Sequence, residues 1–111
     1  MTKNDLTKIL RAGGVTLSAS GEAVEYSRGY QVSVCDLAII DTNREADAVS
    51  FINSQKLAKG EFLGLWVDDD KLYIDKSRHF NSRTEAIKQG LALNQISIFN
   101  WSNKTCIFLK K

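Results

Sequence analysis

Apolar residues recur along the chain with two alternating periods. Between Asn4 and Gly14 they fall at Leu6, Ile9 and Leu10, the spacing of one helix face. Asn4 or Asp5 is placed to cap the free amides at the start of this short helix, and Gly13 and Gly14 are placed to end it. "VTLSASGEAVEY" then reads as a hairpin around "SASGE", where Ser and Gly supply turn conformations cheaply. After the turn "SRG", the β-branched residues Val32, Val34, Ile39 and Ile40 of "YQVSVCDLAII" predict one strand, or two meeting near Asp36.

The helical period returns in "DTNREADAVSFINSQKLAKG". Thr42 stands three residues before Glu45 in capping-box spacing, Ala46, Val49 and Ile52 follow on one stripe with Phe51 beside it, and Gly60 lies beyond the end. Leu63, Leu65 and Val67 alternate before "DDD", and Leu72 and Ile74 after it. Ser82 and Glu85 repeat the box spacing ahead of a helix with Ala86, Ile87, Gly90 and Leu91 on one face, ending near Asn94. "ISIFNWSNKTCIFL" predicts two last strands, with Ile96 and Ile98 alternating in one, and Cys106 and Phe108 in the other.

Capped helix followed by hairpin thus occurs twice, over residues 42–75 and 82–109. This order predicts an α+β fold: an antiparallel sheet with two helices packed on one face, plus a short N-terminal helix. At 111 residues without Pro, the chain fits a single domain, residues 1–111. Its composition, 43% hydrophobic and 25% charged, contains no apolar run long enough to span a membrane. "MTKNDLTKIL" lacks the apolar block of a secretory signal, so a cytoplasmic location is expected. Cys35 and Cys106 lie in separate strand-like runs and are expected to be small buried hydrophobes. A formal net charge of +2 excludes a DNA mimic, which needs a dense negative surface, and supports no strongly basic DNA-binding face.

Asp68, Asp69, Asp70 and Asp75 are the obvious candidates for a carboxylate site. Calcium loops alternate ligands with spacers and need a Gly and a terminal Glu, whereas these aspartates are contiguous and are followed by Lys71. They are expected to form a solvated hairpin tip that binds no metal and moves no proton. His79 is the sole histidine and is expected to be a polar loop residue. No Gly-rich phosphate loop is present, and no cofactor is expected. The basic run Lys76, Arg78, Phe80 and Arg83 could hold a phosphate backbone and stack on a base, the signature of a nucleic-acid-binding regulator.

Trp66, Tyr73, Phe99 and Trp101 remain. Tyr73 lies beside Leu72 and Ile74, and Phe99 and Trp101 beside Ile96 and Ile98, on the strand phase opposite the main apolar set, so they are expected on the face away from the helices. Aromatic side chains there are typical anchors of protein interfaces, with the acidic tip Asp68, Asp69 and Asp70 steering the encounter.

"LTKILRAGGVTLSASGEAVEYSRGYQVS" and "GLWVDDDKLYIDKSRHFNSRTEAIKQGLALNQISIFNWSN" resemble small proteins encoded by phages and other mobile elements of Gram-positive bacteria. That resemblance implies a non-enzymatic accessory protein that binds a host protein, inhibitors of CRISPR nucleases being among such proteins. It transfers no functional residue.

Overall fold

A computed structural model of the chain describes residues 1–109. Its elements run α1 (Lys3–Ala12), β1 (Gly14–Leu17), β2 (Ala23–Val24), β3 (Tyr30–Asp41), α2 (Glu45–Ser54), β4 (Glu61–Asp68), β5 (Lys71–Phe80), α3 (Arg83–Ala92), β6 (Ser97–Asn100) and β7 (Thr105–Phe108). The seven strands form one sheet in the order β2-β1-β4-β5-β3-β6-β7, and every neighbouring pair is antiparallel. The fold is α+β.

Strand parity builds the core. Leu63 and Leu65 of β4, Leu72 and Ile74 of β5 and Leu17 of β1 turn to one face and bury against Leu6 of α1 and Ala48 and Ile52 of α2. Farther along that face, Val32 and Ile98 bury against Ala86 of α3, with Phe80 packed beside them. Each large side chain so enclosed contributes about 1.5–3 kcal/mol. The N-terminal helix is therefore a third member of the helical layer, not an appendage, and all three helices have ten residues.

The helix ends differ from expectation in ways that side-chain reach explains. Thr2, not Asn4 or Asp5, caps α1: its side chain accepts from the Asp5 amide while Asp5 accepts from the Thr2 amide, completing a capping box. Gly13 ends α1 in the left-handed conformation, at φ 93°. Thr42 caps nothing, because its amide donates to Asp70 O across the β4–β5 turn, and α2 begins after Arg44. Consequently Ala48 and Ile52 are the buried positions of α2, and Ala46 is exposed. Ser82 caps α3 as expected, accepting from the Glu85 amide at 3.2 Å, whereas Leu91 on the expected buried face is exposed.

β3 is one strand of twelve residues, with register shifts between Ser33 and Cys35 and between Asp36 and Ala38. These bulges place Ser33, Asp36 and Ile39 opposite Ser77, Asp75 and Tyr73, so the side chains sharing the helix-free face are three residues apart instead of two. The sheet also curls. Laid flat, strands at opposite ends of this order would sit about 29 Å apart, six spacings of roughly 4.8 Å. Yet Glu25, just after β2, pairs with Lys104 of the β6–β7 turn, and the Tyr26 and Trp101 rings meet edge to face at 5.8 Å. The helix-free face is thereby concave.

Both cysteines are exposed and free, contrary to the expectation of buried thiols. In β7 the helix-facing residue is Ile107, and Cys106 and Phe108 take the other parity.

Candidate binding cleft

The concave face encloses a cleft of about 940 Å³, to which every strand contributes lining residues. Trp66 and Phe99 are among its aromatic borders. The β4–β5 register sets Trp66 opposite Tyr73, and their rings stack with centroids 4.4 Å apart and planes 15° from parallel. Trp66 is nevertheless 46% exposed, and Ile39, opposite Tyr73 on β3, is 61% exposed. The row Trp66, Tyr73, Ile39 is an apolar ridge left open to solvent.

Phe99 meets Trp101 edge to face at 5.0 Å. Trp101 departs from its expected place as a surface anchor: it is 7% exposed, because its indole is tied into the floor. Trp101 Nε1 donates to Gln31 Oε1 at 3.1 Å, and Gln31 Nε2 donates to Ser77 Oγ at 2.9 Å. Burying these polar groups is tolerable because they satisfy one another.

Asp75 lies in the floor beside this chain, half-buried, and so is separated from the acidic tip with which its position in the sequence groups it. It crosses Gly64 so closely that a Cβ there would collide with Oδ1. Burial, and then the Asp36 carboxylate opposite, push the Asp75 pKa up to about 6; Ser33, Trp66 and the Gly64 amide oppose the shift. The buried Ser33 hydroxyl stands beside this carboxylate and meets no other hydrogen-bond partner. Burial thus sets Asp75 apart from the solvated aspartates of the tip.

The tip has the predicted form. Asp69 and Asp70 occupy left-handed conformations, at φ 50° and 59°, as a two-residue type I′ hairpin turn requires. Asp68, Asp69 and Asp70 are exposed, and Lys71 beside them pairs with Asp41 at 2.8 Å. Among the described residues no three His, Cys, Asp or Glu side chains gather as a metal site would need.

Lys76, Arg78 and Phe80 of the basic run alternate along β5 and so share one parity. Lys76 and Arg78 take the parity opposite to Asp75 and share Glu61, at 3.7 and 3.6 Å. Phe80 packs, partly buried, against the cluster around Val32 and Ile98, and Arg83 stands exposed at the start of α3. His79 is a strand residue rather than a loop residue. Its ring stacks on Tyr26 at 3.9 Å, and its Nε2 lies 3.0 Å from Arg28 O, a bond in which the imidazole donates.

Sequence reasoning passed over Gln31, Ser33, Ser77 and the placement of Asp75. The available signal was polar residues on the helix-free parity in the middle of long strands, at 31 and 33 and again at 75 and 77.

Comparison with protein-family models, with curated proteins and with solved structures found no match to this chain. Among the described residues no helix is long and apolar enough to cross a membrane.

Proposed function

We propose that the chain is a small non-enzymatic binding protein that recognises a protein partner on the concave face of its sheet. The observation carrying this reading is the Trp66–Tyr73 stack: two large rings are preorganised against each other, yet Trp66 stays 46% exposed and is continued by exposed Ile39. Stacking removes rotamer freedom before binding, so less entropy is lost when a partner covers the ridge. Contiguous exposed apolar surface of this kind marks interaction sites, and Trp and Tyr are the usual anchors. The sequence resemblance to mobile-element proteins directs the choice of partner to a bacterial host protein, a CRISPR nuclease or another defence component being the first to try. Binding, not catalysis, is favoured because His79 is occupied by Tyr26 and the Arg28 carbonyl.

The test is affinity capture from host lysate with the native chain and with Trp66→Ala and Tyr73→Ala variants verified as folded. A partner should be retained by the native chain and lost by the variants, each anchor contributing about 2 kcal/mol or more. Capture that is indifferent to both substitutions refutes the reading.

A further inference from the structure

The chemistry of the cleft floor specifies what the partner presents. Resting on the reading above, we propose that the cleft receives an arginine side chain of the protein partner, with its guanidinium held by the Asp75 carboxylate beside Trp66.

Charge complementarity carries the argument. Three charged side chains line the cleft: Glu25, Lys104 and Asp75. Glu25 and Lys104 pair with each other, so the lining is left with one uncompensated carboxylate. Across the strand pair stands Asp36, a second carboxylate, and neither it nor Asp75 meets a cation among the described residues. Lys76, adjacent in sequence, takes the opposite parity and is held by Glu61.

The Ser33 hydroxyl stands in the wall of the same cleft beside Asp75, close enough to hold that carboxyl down, and makes no other hydrogen bond. Its lone pairs stay open to a donor that reaches Asp75. A guanidinium brings five N–H donors in one plane, enough to engage a carboxylate along one edge and a hydroxyl along another.

The neighbouring surface favours guanidinium over ammonium. Trp66 offers an exposed aromatic surface, and a planar, weakly hydrated cation stacks on indole at lower desolvation cost than a lysine head group. Gly64, lacking a Cβ, lets the Asp75 carboxylate lie across its strand within the cleft that Trp66 borders. An uncharged occupant would instead seal Asp75 from water without a counter-charge.

Isotope-labelled protein titrated with N-acetyl-arginine amide, with its citrulline counterpart as the uncharged isostere, supplies the test. Arginine amide should shift the Gly64 and Ser33 amides and the Trp66 indole N–H. Citrulline amide, or arginine amide with Asp75→Asn, should bind at least tenfold more weakly. Binding should also weaken about tenfold from pH 7 to pH 5 as Asp75 titrates about 6, with Asp36 the charged group facing it. Equal response to citrulline, an undiminished response in Asp75→Asn, or no shift up to about 100 mM ligand overturns the proposal. If Asp75→Asn captures the host partner as well as the native chain while Trp66→Ala does not, the interface reading stands and the arginine proposal falls. If both variants capture normally, both fail.

Discussion

Asp75 lies across Gly64, its carboxylate occupying the space that a side chain at position 64 would need. The two residues face each other in the β4–β5 register, so the absence of a Cβ on one strand makes room for a charge on the next. Gly64→Ala should therefore cost about 1–3 kcal/mol in urea unfolding, the usual penalty of overpacking. Adding Asp75→Ala should recover much of that loss. Additive effects in this cycle would refute the steric coupling.

The raised pKa of Asp75 sets a pH dependence of stability. A carboxyl titrating near 6 when folded and near 3.8 when unfolded binds more protons in the native state between those values. Its ionisation thus destabilises the fold as pH rises from about 4 to 6, and the loss persists at pH 7. Asp75→Asn should be more stable than the native protein at pH 7, by about 3 kcal/mol at most, and the difference should shrink towards pH 4. Thermal melts of both proteins across this range measure the difference directly and cancel the contributions of Asp5, Glu25 and Asp41, whose partners hold their pKa values low.

Trp101 anchors the opposite end of the floor. Trp101→Phe keeps most of the ring volume but leaves Gln31 Oε1 without its donor, at a cost of about 1–3 kcal/mol. Because Gln31 also donates to Ser77, the side-chain amide signals of Gln31 should move with the substitution. Unchanged stability would mean that the indole N–H has no structural role.

The acidic tip is open to improvement. Asp69 and Asp70 both hold positive φ, which Asn and Gly adopt with less strain. The double replacement Asp69→Asn with Asp70→Gly should leave the fold intact and stabilise it by about 1 kcal/mol or less, the relief of left-handed strain minus the entropy that glycine loses, read from chemical denaturation. Destabilisation would indicate that the aspartates make contacts beyond the turn.

Local signals carried much of this structure. The β4–β5 hairpin is legible because apolar alternation on both sides of "DDD" fixes parity, and a tight turn has few sequence solutions. The same parity separated Tyr73 and Phe99 from Leu72, Ile74 and Ile98. What failed were features set by distant partners. Thr42 has the spacing of a cap, but its amide is claimed by Asp70, and the burial of Trp101 depends on Gln31, 70 residues away. Cys106 sits in an apolar run, yet the core takes Ile107 instead. Asp75 looked like part of an acidic cluster because proximity in sequence does not reveal which side chains a strand turns inward.

The cleft has a geometric origin in unequal lengths of chain. From Ser33 to Ala38 β3 takes five steps, while its partner covers Ser77 to Ile74 in three. Two surplus residues amount to about 7 Å of strand that must bow out of line. Like the outer lane of a bend, β3 is longer than the path beside it, and its neighbours follow the curve. Trimming Val34 and Leu37 would match the two lanes and flatten the bend, drawing Glu25 and Lys104 apart. The depth of the cavity is thus metered by a small excess of backbone in a single strand.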